Sequence, residues 1–343
     1  MDKTCSPFTP DQIAHYFDRI HLSVSARKFQ ISSLTCHQQL EYLALLQKHH
    51  LVAIPFENLA LHYSWHRVVN LDLEHLFDKI VCQPGRGGYC MENNTLFHNI
   101  LVSLGFSCYM VGSRIYNPQG ARYGGFSHCL NIVRIGETSY TVDVGYGANG
   151  PISPVKMSHG DIQSHVGRSR IRLRHDSLPQ ALNKDAKHWI YEHQVDESTA
   201  WVPLYCFPDS EFFPEDIATI NLSPSKSPTS LFLKKVVCVR FTQAKEVMVL
   251  EGLQSVIEGL DQRGDIDGVL ILNHNWLKWR RNGANVFEKE LRNEAERLDA
   301  LERFFGIINL SELDKRAIKG TIAEISDKAA FPSAKYPGSL ASA

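Results

Sequence analysis

Cys90 is the residue of this chain best placed for covalent chemistry. It lies in the run Arg86-Gly87-Gly88-Tyr89-Cys90-Met91-Glu92-Asn93-Asn94, where two glycines permit a tight turn and close backbone approach. In residues 95–104, which follow, Leu96, Ile100 and Leu104 fall four apart on one helical face, and Gly105 suits the C′ position. The spacing therefore predicts Cys90 at a helix N-terminus, where unpaired N–H groups and the helix dipole favour negative charge. A thiol there ionises more readily than a free one, and the thiolate is the reactive form. A cysteine without such surroundings is ordinarily a small buried hydrophobe, so partners decide the matter.

Those partners come from a hairpin. Residues 107–116, 128–135 and 138–144 are rich in Val, Ile, Tyr and Thr and read as strands, and Gly136-Glu137 is a two-residue loop with glycine first. Such a loop sets Ile135 opposite Thr138, Leu130 opposite Asp143 and His128 opposite Gly145. His128 and Asp143 then share a face as diagonal neighbours about 7–8 Å apart at Cα, a gap that an imidazole and a carboxylate span. Gly145 is expected to leave room for the ring. A carboxylate that holds one imidazole nitrogen while the other faces a thiol is a nucleophile–base–orienter triad. Spacing alone does not bring Cys90 to His128.

The elements around these residues divide the chain. Residues 1–105 read as helical. Thr9-Pro10-Asp11-Gln12 and Thr35-Cys36-His37-Gln38 are capping patterns, and a third amphipathic stretch carries Leu73, Leu76, Phe77 and Ile80. Residues 106–212 read as an antiparallel barrel, with further β-like pieces at 171–173 and 189–191. Residues 213–343 read as an α/β lid, with strands at 231–241, 247–250 and 269–272 and a helix at 287–305. The Ser-, Ala- and Lys-rich final stretch, within 310–343, reads as a loosely held tail. The fold class expected is α+β.

Composition narrows the function. The 343 residues are 43% hydrophobic and 21% charged, ordinary values for a globular chain with ample core. A formal net charge of -1 gives no reason to expect nucleic acid or an anionic membrane as partner. The basic clusters at 168–174 and 278–281 read as solvated faces. No apolar h-region follows Met1-Asp2-Lys3 and no membrane-span-length apolar run occurs, so a cytoplasmic location is expected. The eight cysteines form no C-x-x-C pair, so neither a disulfide framework nor a metal site is expected.

Taken together, the motifs resemble the arylamine N-acetyltransferases over nearly the whole length. The family's Arg-Gly-Gly-x-Cys segment matches Arg86-Gly87-Gly88-Tyr89-Cys90, and Pro-Phe-Glu-Asn-Leu matches Pro55-Phe56-Glu57-Asn58-Leu59. The triad-histidine strand matches residues 128–133, and Asp-x-Gly-aromatic-Gly matches Asp143-Val144-Gly145-Tyr146-Gly147. Ser227-Pro228-Thr229-Ser230 with Phe232, and the segment 301–307, also resemble family segments.

The resemblance implies a helical domain with Cys90, a β-barrel with His128 and Asp143, and an α/β lid, with a core outline shared with transglutaminase-like cysteine enzymes. It implies a ping-pong acyl transfer from acetyl-CoA or another acyl-CoA, malonyl-CoA included, to an arylamine, arylhydrazine or arylhydroxylamine. It places Gly124, Gly125, Phe126, Gly147, Thr229 and Ser230 at the coenzyme, Phe56 and Tyr146 at the acceptor, and Arg86 with Glu57 as a buttress of the nucleophile loop. Human-type members carry an arginine where Ala148 stands here, so their acceptor preference does not carry over. Two alternatives remain: a transglutaminase-like or thiol hydrolase with the same triad, and a non-catalytic binder that keeps the fold.

Overall fold

The computed structural model describes residues 7–249, 254–256 and 264–326. Its first part is helical: α1 (Pro10–Arg19), α2 (Cys36–Ala53), the short α3 (Leu73–Phe77) and α4 (Cys90–Ser103), with the two-residue strand β1 (Phe56–Glu57) between α2 and α3. Thr9 and Thr35 cap α1 and α2 in reciprocal boxes with Gln12 and Gln38, as their spacing predicts. The third amphipathic stretch tightens differently: after α3, residues 78–82 continue as a π-helical turn.

A long antiparallel sheet follows, built from β2 (Ser107–Asn117), β3 (Arg122–Ile135), β4 (Thr138–Val142), β5 (Val155–Lys156), β6 (Ile162–Ser164), β7 (Arg170–Ser177), β8 (Lys187–Gln194) and β9 (Val202–Phe207). Their order is β5-β4-β3-β2-β9-β8-β7-β6, and the sheet curls toward closure, with His159 bridging to Leu173. Gly136, at φ +58°, turns the β3–β4 hairpin, and Ile135 pairs with Thr138 as the two-residue loop requires.

The chain then forms α5 (Pro214–Lys226) and a second sheet. Its further strands are β10 (Val237–Gln243), β11 (Val247–Val249), β12 (Gln254–Val256), β13 (Ile266–Asn273), β14 (Trp276–Arg281) and β15 (Ala284–Glu290). Among the described residues, β11 and β12 pair only with each other, and the larger sheet has the order β1-β10-β13-β14-β15. Early and late chain are thus sewn together: Phe56 pairs with Val239 and Glu57 with Cys238. The last helices are α6 (Glu294–Phe305) and α7 (Glu312–Arg316). The architecture is α+β. Among the described residues, no helix is long and apolar enough to cross a membrane.

Several boundaries differ from the sequence expectation. Residues 287–290 belong to β15 and the helix begins only at Glu294, where the Asn293 side chain caps the Glu296 N–H. Residues 231–233 form a 3₁₀ turn and the strand starts at Val237, because Ser230 caps the turn. The basic cluster at 278–281 lies in β14, where Trp279 points inward and Arg281 pairs with Asp267 at 2.6 Å. The stretch beyond Leu310 is not loose as far as it is described: Leu310, Ile318 and Ala323 join a buried cluster with Leu301 and Phe305. Residues 327–343 of the expected tail, and Leu250 of the expected strand 247–250, lie outside the described residues.

Candidate active site

The glycine turn that launches α4 is held by contact with β1. A Cβ on Gly87 would stand 1.9 Å from the Pro55 carbonyl oxygen, so only glycine fits. The Glu57 N–H donates to the Gly88 carbonyl at 3.0 Å, and Asn93 Nδ2 donates to the Pro55 carbonyl at 3.2 Å. Tyr89 is the N-cap position and Cys90 the first residue of α4, with its thiol at the helix start.

Opposite stands the hairpin. His128 lies in β3 and Asp143 one residue beyond β4, and His128 Nε2 meets Asp143 Oδ2 at 2.7 Å. The Cys90 thiol lies 3.1 Å from Met91 Sδ and 3.9 Å from the Ser127 carbonyl, and it is close enough to the His128 ring to raise its pKa. All three are nearly sealed from solvent, at 3%, 2% and 1% exposure. Burial by itself lowers the imidazole pKa. The Asp143 charge and hydrogen bond, aided by Cys90, reverse that and raise it to about 10. Tyr146 and Tyr205 pack against the ring at 5.5 and 5.3 Å between centroids and fix its plane.

Gly145 has another job than the one spacing suggests. A Cβ there would fall 2.7 Å from Cys90 Cα and 2.8 Å from Asn94 Nδ2, so the space it leaves is filled by α4 and not by the imidazole. That close approach brings helix and hairpin together.

Asn94, unnoticed in the sequence, locks the junction. Its Nδ2 donates to Asp143 Oδ1 at 2.9 Å and to the Cys129 carbonyl at 2.8 Å, while its Oδ1 accepts from the Val144 N–H at 3.0 Å. Asp143 Oδ1 also accepts from the Gly145 N–H at 2.8 Å. The available signal was spacing: Asn94 lies four residues after Cys90, on the same helical face.

Beneath the loop that carries Cys90 lie three buried charges, Glu57, Lys79 and Glu92, and the half-buried Arg86. Arg86 Nε donates to Glu57 Oε1 at 3.0 Å. Lys79, also unnoticed, places Nζ 2.6 Å from Glu92 Oε1 and 3.7 Å from Glu57 Oε1. The second oxygen of Glu92 accepts from the Tyr89 N–H at 3.1 Å, at the start of α4. Burial pushes both carboxyls up. For Glu57 the charges of Arg86 and Lys79 overturn it and leave the group below its ordinary value, whereas Glu92 stays above.

Cys90 and His128 open onto a cavity of about 220 Å³, whose wall also includes Ser127, Tyr146, Thr229 and Ser230. Phe56 and Tyr146 line both this cavity and a smaller adjoining one, and Gly147, at φ +99°, lines the smaller. The Ser230 hydroxyl is already engaged, donating to the Pro224 carbonyl at 2.7 Å and accepting from the Phe232 N–H. Thr229 Oγ1 lies 2.9 Å from Ser227 Oγ. Gly124, Gly125 and Phe126 are not on the wall, although Ser127 next to them is. Gly124 and Gly125 are exposed on β3, and Phe126 lies under the Arg114 guanidinium, 3.9 Å from its ring centroid.

A second grouping, Cys108 with His98 and Asn131, does not repeat the triad. Cys108 Sγ at 3.4 Å and Asn131 Oδ1 at 3.1 Å crowd one nitrogen, His98 Nδ1, so no relay through the ring exists. Burial also pushes the Cys108 thiol far up. No group of three or more His, Cys, Asp or Glu among the described residues is arranged to hold a metal ion.

The chain is similar to known N-acyltransferases. A model of an N-acetyltransferase family matches residues 39–264. An N-malonyltransferase, FDB2 of Fusarium pseudograminearum, is 30% identical over 297 residues, which cover 81% of each chain. Arylamine N-acetyltransferase 2 of Rattus norvegicus is 28% identical over 303 residues, 86% of this chain and 93% of the relative. Among solved structures, the Nocardia farcinica arylamine N-acetyltransferase aligns at TM-score 0.68 and 26% identity, over 89% of this chain and 92% of its own. The Mycobacterium marinum arylamine N-acetyltransferase in complex with CoA shares the fold at TM-score 0.68 and 24% identity, over 88% of this chain and 96% of its own.

Proposed function

The chain belongs to the arylamine N-acetyltransferase family, and from that premise we propose that it moves an acyl group from a CoA thioester to an arylamine, arylhydrazine or arylhydroxylamine through an acyl-Cys90 intermediate. The observation that carries this reading is the buried Cys90–His128–Asp143 relay at a helix start, open to a cavity beside it.

In the first half-reaction the Cys90 thiolate attacks the thioester carbonyl, with backbone N–H groups at the start of α4 as candidate donors to the oxyanion. Coenzyme A leaves as thiolate and takes the proton carried by His128, which becomes neutral. In the second, the amine nitrogen attacks the acyl-Cys90 carbonyl and gives a proton back to His128. The S–C bond breaks, and thiolate and imidazolium are restored. Both acyl carriers are thioesters, so the first transfer is nearly balanced in energy. Asp143 is a positioning residue: it sets the ring's orientation and stabilises its charge.

For the remaining residues, Thr229, Ser230, Gly124, Gly125, Phe126 and Gly147 are assigned to the coenzyme's path. Phe56 and Tyr146 are assigned to the acceptor, and Arg86 with Glu57 to support of the loop. The relatives named above include an acetyltransferase and a malonyltransferase, so acetyl-CoA and malonyl-CoA are the donors to test first.

The test is intact-protein mass spectrometry after exposure to each acyl-CoA without acceptor. One acyl group per chain is expected, mapped to Cys90, absent in Cys90→Ala and discharged by an aromatic amine. Discharge to water as fast as to amine would favour the thiol hydrolase. An unmodified wild-type chain with every donor would overturn the reading.

A further inference from the structure

We propose that Lys235, with Asn273, forms a carboxylate-binding subsite beside the reactive cysteine, so that the preferred substrates carry a carboxylate on the group that enters there. The proposal rests on the transferase reading above and adds the substrate class.

The subsite follows from strand register. Phe56 pairs with Val239, Val239 with Ile271 and Val237 with Asn273. Side chains two apart in a strand share a face, so Val237 and Val239 of β10 present the same face as Ile271 and Asn273 of β13. Lys235 precedes Val237 by two and lines the same chamber. The chamber holds about 40 Å³, adjoins the cavity of Cys90 and His128, and shares Phe56, Tyr146, Leu231 and Phe232 with it. That is room for about three water-sized groups, the size of a carboxylate.

Apart from the Tyr146 hydroxyl, the rest of the chamber wall is apolar, and the Lys235 and Asn273 side chains are unused. Among the described residues no carboxylate forms an ion pair with Lys235 Nζ, and no hydrogen bond is made by its ammonium or by the Asn273 side chain. The Lys235 backbone, by contrast, is fixed: its carbonyl accepts from Asn58 Nδ2 at 2.8 Å and lies 3.1 Å from His62 Nε2. A half-buried cation with no counter-ion, on a pinned backbone in an apolar chamber, is a preformed site for an anion. The carboxylate could arrive on the acyl group, as in a malonyl thioester, or on the acceptor, as in an aminobenzoate.

Two arms of one experiment separate these sources. The rate of Cys90 acylation is measured with malonyl-CoA and with acetyl-CoA, and the rate of discharge with 4-aminobenzoate and with 4-toluidine, for wild type, Lys235→Met and Lys235→Arg. A charged hydrogen bond contributes about 1.5–3 kcal/mol, or roughly ten- to a hundredfold. Lys235→Met should therefore lower the carboxylated-to-uncharged rate ratio at least tenfold in one arm, and Lys235→Arg should restore most of it. A fall in the first arm assigns the acyl carboxylate, and a fall in the second the acceptor's. Ratios within twofold of wild type in both arms overturn the proposal. Should wild type accept no acyl group, the transferase reading fails instead. Calorimetric binding of malonate and benzoate to wild type and Lys235→Met then still decides the subsite, and equal affinities refute it.

Discussion

Replacing Lys79 by Met would test whether the charges under the nucleophile loop hold its shape. Lys79 Nζ stands 2.6 Å from Glu92, with side-chain exposures of 6% and 2%, so its loss strands a carboxylate in a dry site next to Glu57. Breaking such a pair from one side costs about 3–5 kcal/mol. The native state can reduce that cost by protonating Glu92. Glu92 already sits above its ordinary value of 4.5, chiefly through burial, and Lys79 is the charge that pulls it down. A carboxyl whose folded pKa is raised stabilises the fold below its unfolded pKa and loses that contribution as pH rises through its folded pKa. Taking up a proton costs roughly 1.4 kcal/mol at pH 5.5, one unit above 4.5, and the full charge-burial cost at pH 8. Urea unfolding at both pH values should thus show a Lys79→Met deficit of about 3–5 kcal/mol at pH 8 and about half or less at pH 5.5. Glu92→Gln in the same chain should recover much of the loss at pH 8. A deficit under about 1 kcal/mol, equal at the two pH values, would refute the argument, since exposed ion pairs behave that way.

Three further outcomes follow from the same geometry. Asp143→Asn should lower kcat/KM for acyl transfer by about a hundredfold or more. The His128 proton stabilises the fold fully below its unfolded pKa of 6.5 and stops doing so as pH rises through about 10, so the stability deficit of Asp143→Asn should shrink over that range; equal deficits at pH 6 and pH 10 would argue against the pair. Asn94→Ala removes three hydrogen bonds to buried groups, and guanidinium unfolding should report a loss of about 3 kcal/mol together with slower Cys90 alkylation; alkylation at the wild-type rate would remove Asn94 from the positioning role. Gly145→Ala should separate α4 from the hairpin, lowering thermal stability and acylation rate together, whereas a wild-type acylation rate would show that the backbone moves aside freely.

What the sequence determined by itself was local in origin. A two-residue turn carries its register outward along the hairpin, so His128 and Asp143 were readable as a pair from spacing alone. Glycines followed by helical periodicity were enough to set Cys90 at the first turn of α4. Tertiary structure alone decided whether that thiol met that ring. Gly145 against Cys90 Cα, and Asn94 bridging to Asp143, are contacts between segments about fifty residues apart, and no periodic signal encodes them. The same holds for Lys79 between Glu57 and Glu92, and for Lys235 brought beside Phe56 by the pairing of β1 with β10. Residues 287–290 show the converse limit: their alternating, charged pattern fits an exposed strand or a helix start, and pairing with β14 chose the strand. Short-range rules fix angles and faces, whereas which faces meet depends on packing summed over the whole chain.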